Sequence, residues 1–116
     1  MNSFATIDIR DCNADSIRSK EKIQDYVLQL CKLMQLERIG DCQIVNFGEG
    51  KKEGFSMVQL LETSCMTAHF ENEQNLAFIN IFSCNDIDVY KVRDFSKEFF
   101  EGSEAVSLKQ VRGFSN

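Results

Sequence analysis

Residues 55–83 read FSMVQLLETSCMTAHFENEQNLAFINIFS, and their punctuation decides the fold. Three apolar, β-prone runs (55–62, 65–70 and 76–83) are separated by the pair Thr63-Ser64 and by the polar stretch Glu71-Asn72-Glu73-Gln74-Asn75. Runs this short with breaks this tight leave no room for crossover helices, so they predict consecutive antiparallel strands.

Working outward, residues 41–47 form one more short strand, and the stretch from Gly48 to Gly54, with three glycines and mixed charge but no periodicity, is a loop. Residues 4–10 alternate, with Ala5, Ile7 and Ile9 on one face and Thr6, Asp8 and Arg10 on the other, the period of a half-buried strand. Ile23, Tyr26, Val27, Leu30, Cys31 and Met34 recur at three- and four-residue spacing. They predict a helix over 19–36, opened by Ser19 and Glu21 and stopped by Gly40. A second helix is capped by Asp86 or Asp88, carries the stripe Val89, Val92, Phe95, Phe99 and Phe100, and ends at Gly102; residues 105–112 close as a strand. The order β-α-β-β-β-β-α-β predicts an α+β fold, an antiparallel sheet with two helices packed on one face, in a single domain over 1–116.

Composition excludes several functions. Eighteen acidic against thirteen basic residues give a net charge of −5, and the pair Lys51-Lys52 is flanked by acids, so no nucleic-acid partner is expected. No apolar run approaches the roughly 18 residues of a membrane span, and the N-terminus carries no basic-then-apolar leader, so a soluble, cytoplasmic protein is expected. Five cysteines with no CxxC pair suit neither a disulfide framework nor a metal site. The chemistry-bearing residues gather in Glu62-Thr63-Ser64-Cys65-Met66-Thr67-Ala68-His69, which holds the only histidine of the chain. A serine and a histidine five apart match no hydrolase signature.

The region resembles the bacterial S-adenosylmethionine decarboxylase proenzyme family. Counting from His69, that family's cleavage serine falls on Ser64 and its cysteine on Cys84. Asn80-Ile81-Phe82-Ser83-Cys84 is similar to its cysteine-bearing strand end, Gly54-Phe55-Ser56 to its Gly-x-Ser segment, and Thr6 to Cys12 to its opening strand and turn. The resemblance implies self-cleavage between Thr63 and Ser64, leaving a pyruvoyl cofactor derived from Ser64 that forms a Schiff base with the substrate amine. It implies Ser56 and His69 as the processing pair, His69 moving the proton, and Cys84 as the proton donor to the substrate carbon. Glu73, Phe4, Phe47 and Phe70 become candidates for holding S-adenosylmethionine, the carboxylate on the ribose hydroxyls and the rings on the sulfonium. A homodimer stacked sheet against sheet and a role in polyamine (spermidine) biosynthesis also follow from it.

Each assignment has a plainer counterpart: Ser56 and His69 as ordinary polar strand residues, Cys84 as a small buried hydrophobe, Glu73 as a solvated loop acid. The chain departs from the family at Thr63 (glutamate), Cys65 (histidine) and Glu71-Asn72 (Trp-Pro), and it lacks the loop aromatic near Gly50. These departures keep two alternatives open, a pyruvoyl-dependent ornithine or arginine decarboxylase and an uncleaved, non-catalytic binding homologue.

Overall fold

A computed structural model describes residues 2–114. Its elements are β1 (Asn2–Arg10), the single turn α1 (Ala14–Ile17), α2 (Lys20–Met34), β2 (Arg38–Phe47), a short 3-10 turn (Gly50–Lys52), β3 (Gly54–Leu61), β4 (Ser64–Glu71), β5 (Leu76–Ser83), α3 (Val89–Phe99) and β6 (Glu104–Arg112). The strands form one six-stranded sheet in the order β2-β3-β4-β5-β1-β6, and every pairing is antiparallel. The α+β architecture expected from the sequence is therefore present.

Strand alternation divides the sheet into two unlike faces. Ala5, Ile7 and Ile9 of β1, Met57 and Leu61 of β3, Met66, Ala68 and Phe70 of β4, and Ala77, Ile79 and Ile81 of β5 all point to one side and are buried there. Ile23, Tyr26, Val27, Leu30 and Cys31 of α2 and Val92 of α3 close over them. Each large aliphatic side chain taken out of water in this layer contributes roughly 1.5–3 kcal/mol. No helix among the described residues is long and apolar enough to cross a membrane.

The helix ends differ from the sequence reading in instructive ways. Ser19 caps α2 as expected, its side chain accepting from the Lys22 amide, and Asp88, not Asp86, caps α3 by accepting from Lys91. But α2 stops at Met34 rather than running on toward Gly40. Gln35 adopts the left-handed conformation (φ 56°) and the Leu36 amide returns to the Cys31 carbonyl at 2.8 Å, so a non-glycine residue closes the helix. The chain is thus free to enter β2 at Arg38, three residues before the expected start, and Gly40 (φ 72°) falls inside β2 where the register with β3 shifts. The short turn α1 went unforeseen because its four residues are too few to show a period.

Between the helices, Tyr26 and Ser96 are both fully buried and share a hydrogen bond of 2.6 Å. Burial pushes the Tyr26 phenol far above its ordinary range, so it stays neutral. Tyr26→Phe leaves the Ser96 hydroxyl without its partner and is expected to lower unfolding stability by about 1–2 kcal/mol, read from urea denaturation. Adding Ser96→Ala to it should cost less than the two single changes summed, because the pair is one interaction.

Candidate active site

The β3–β4 hairpin places the candidate residues. Leu61 pairs with Ser64 across a two-residue connection, Glu62-Thr63, and from there Leu60 pairs with Cys65, Val58 with Thr67 and Ser56 with His69. Because directly paired residues share a face, Ser56 and His69 sit together on the open face while Ser64 points to the helix side. The structure therefore divides the site residues into two clusters, separated along β4 by five residues or about 17 Å.

The first cluster lies at the hairpin tip. Thr63 has φ 58°, a conformation uncommon for any side chain and an outlier for a β-branched one, which costs about 1–3 kcal/mol unless neighbours impose it. Its hydroxyl donates to the Glu62 carbonyl at 2.6 Å and lies 2.7 Å from Cys84 Sγ. With that hydroxyl proton committed, the thiol proton is the one available to bridge to Thr63. Ser64 Oγ accepts from the Cys84 amide at 3.3 Å and donates to Ser83 Oγ at 3.5 Å. Glu62, the acid beside the turn, has its carboxyl raised above the usual range by a hydrogen bond to Glu37 and by the charge there. Phe4, paired with Phe82 two residues from Cys84, belongs to this end.

The second cluster lies at the other end of β3 and β4. Ser56 Oγ is 2.8 Å from His69 Nδ1, and His69 Nε2 is 2.9 Å from the Lys52 carbonyl oxygen. A carbonyl only accepts, so Nε2 carries a proton, and in the neutral ring Nδ1 keeps its lone pair and the Ser56 hydroxyl donates to it. Phe47, opposite Gly54 in the register, stands 68% exposed on the open face nearby. Glu73 is exposed in the turn that follows β4. Gly54 is required here, since a Cβ at that position would lie 1.7 Å from the Phe70 carbonyl oxygen.

Phe70 corrects the sequence reading. It is fully buried and packs on Phe100 with ring centroids 5.4 Å apart. As a neighbour of His69 on a strand it must face the opposite side, so it builds core and holds no substrate. Two thiols elsewhere are held inert: burial pushes Cys12 and Cys31 up to about 11. Sequence reasoning missed Ser83 and Ser3, both buried, which stand level with Ser64 across the neighbouring strands.

A family described as S-adenosylmethionine decarboxylase matches residues 4–113, and the chain belongs to that family. It is accordingly a decarboxylase, a carboxy-lyase. Among solved structures, the adenosylmethionine decarboxylase from Aquifex aeolicus superposes with a TM-score of 0.82 at 20% identity, over 100% of this chain and 93% of that one; at that identity the likeness bears on the fold.

The single histidine makes its state directly readable. Long-range proton–nitrogen correlation of the imidazole should show the neutral ring carrying its proton at Nε2, and Ser56→Ala should shift the Nδ1 resonance while leaving that tautomer in place. A ring protonated at Nδ1 would contradict the hydrogen bond to Lys52.

Proposed function

We propose that this chain cuts itself between Thr63 and Ser64 and, carrying a pyruvoyl group at residue 64, decarboxylates S-adenosylmethionine as a cytoplasmic homodimer in polyamine (spermidine) biosynthesis. The observation that carries the reading is the left-handed Thr63 at the hairpin tip, with the Ser64 hydroxyl and the Cys84 thiol beside it. Strain stored in the residue whose carbonyl must be attacked is released when that bond is broken.

The residues fit the formation of such a group. Ser64 Oγ adds to the Thr63 carbonyl carbon, the C–N bond breaks, and the released nitrogen takes up the hydroxyl proton, leaving an ester. Loss of the Ser64 α-proton then expels the Thr63 carboxylate. One water enters and one ammonia leaves as the resulting enamine becomes a ketone. That ketone supplies the electrophile for the substrate amine and the sink for the electrons left when carbon dioxide departs. In this reading Cys84 Sγ, beside Thr63 at the tip, returns a proton to the substrate α-carbon.

Separation of the two clusters supports the dimer. The open face of the sheet exposes Val45, Phe47, Val58, Leu60, Val106 and Leu108, more apolar surface than a lone sheet face leaves to water. If two copies stack face to face about a two-fold axis that crosses the strands, the hairpin-tip end of one, which presents Phe4 and Cys65 on the open face beside Ser64 and Cys84, lies over the Ser56 and His69 end of the other, across the roughly 10 Å between packed sheets. Each site is then completed by the partner subunit's Ser56 and the partner subunit's His69, with Phe4 and the partner subunit's Phe47 as facing platforms for the sulfonium and adenine, and the partner subunit's Glu73 for the ribose hydroxyls.

Mass spectrometry of the denatured protein should show two fragments meeting between residues 63 and 64, the second without a free amino terminus, and one unbroken chain for Ser64→Ala. Thr63→Gly, which removes the strain, should slow cleavage by roughly fivefold for each kcal/mol relieved. A wild-type chain that never breaks would favour the non-catalytic homologue.

A further inference from the structure

Ser64 is the middle of nothing in the sequence, yet in the sheet it begins a row of serines. One position beyond the first β4–β5 pair, Cys65 with Phe82, Ser64 reaches Ser83 of β5, and Ser83 stands opposite Ser3 of β1. All three point to the helix side, and Ser3 and Ser83 are each 1% exposed. A buried hydroxyl among apolar neighbours costs free energy unless paired, and here the pairs form one network. The Ser64 hydroxyl donates to Ser83 Oγ at 3.5 Å, the Asn85 amide donates to the same oxygen at 3.1 Å, and the Ser3 hydroxyl fixes Asn85 by donating to its carbonyl at 2.6 Å. With the Cys84 amide on Ser64 Oγ at 3.3 Å, the rotamer of the attacking hydroxyl is set from both sides.

Ser83 also lines a cavity of about 200 Å³ between the end of α2 and the start of α3, walled by Leu36, Ile81, Ile87 and Val92, with Asn85 and Asp86 at its polar side. Space of that size with polar partners holds water. His69, the processing base implied by the family resemblance, is about 17 Å away along β4 in the same chain, so the acceptor for the Ser64 proton within one subunit is the Ser83 hydroxyl.

We propose that Ser83 is a processing residue, held by Ser3 and Asn85, that takes the Ser64 proton during self-cleavage and connects it to the water of this cavity. The inference rests on the self-cleavage reading above. As Ser64 Oγ bonds to the Thr63 carbonyl carbon, its proton passes to Ser83 Oγ while the Ser83 proton passes to a cavity water. A proton returns by the same route to the Ser64 nitrogen as the C–N bond breaks, so no net proton is gained or lost. The same cavity delivers the water consumed in the last step and receives the ammonia.

The test follows conversion of freshly synthesised full-length chain into its two fragments by intact mass over time. Ser83→Ala should slow conversion by roughly tenfold or more, Ser83→Cys should also be slow because a thiol is a weaker acceptor, and Ser83→Thr should return the rate to within a few-fold of wild type. Their thermal midpoints should match that of the uncleaved Ser64→Ala chain, which separates lost proton transfer from lost folding. Wild-type-like cleavage of Ser83→Ala, or Ser83→Thr as slow as Ser83→Ala, overturns the role of Ser83 and leaves self-cleavage standing. A wild-type chain that stays whole overturns both.

Discussion

Everything at the site depends on the register of one hairpin. Two residues join β3 to β4, and the pairing of Leu61 with Ser64 sets which side every later residue of β4 faces. A slip of one position would carry His69 into the core and bring Phe70 out. Gly54 resists such a slip, because β3 can lie against the Phe70 carbonyl only where a side chain is missing. The cost of that register is borne at Thr63, which must turn left-handed to close so short a connection. The same constraint therefore fixes the fold, sets the faces of the candidate residues and puts strain at Thr63, beside the proposed cleavage bond.

One-sided burial is the second organising feature. Both long helices lie on one face, their stripes filling the space above β1, β3, β4 and β5. The other face keeps Phe47, Leu60 and Leu108 in water along with the paired Ser56 and His69, so one of the two candidate clusters lies on the face that the proposed dimer would cover. Within one subunit Ser64 and Cys84 at the hairpin tip stand about 17 Å along β4 from Ser56 and His69, so a lone subunit holds both clusters but does not bring them together.

Much of this was legible in the residues. Alternation in the 55–83 stretch and around Ile7 showed the strands, and the stripes on α2 and α3 showed their buried faces. The start of α2 was readable because Ser19 is a strong cap, and its end was not, because Gln35 took the conformation normally left to glycine. The family resemblance brought Ser56, Ser64, His69 and Cys84 to notice but could not place them, since intervals along a chain do not report which sheet face or end a residue occupies. Phe70 could have been excluded by alternation once His69 was put on the open face. Ser3 and Ser83, eighty residues apart, become neighbours only through the β1–β5 pairing, and no local pattern marks them.

The most direct measurement is release of labelled carbon dioxide from carboxyl-labelled S-adenosylmethionine by the processed protein, run beside ornithine and arginine. Saturable release from S-adenosylmethionine, abolished when borohydride and substrate are added together and absent from the Ser64→Ala chain, is the expected result. Release from ornithine or arginine alone, or turnover by Ser64→Ala equal to that of wild type, would contradict it.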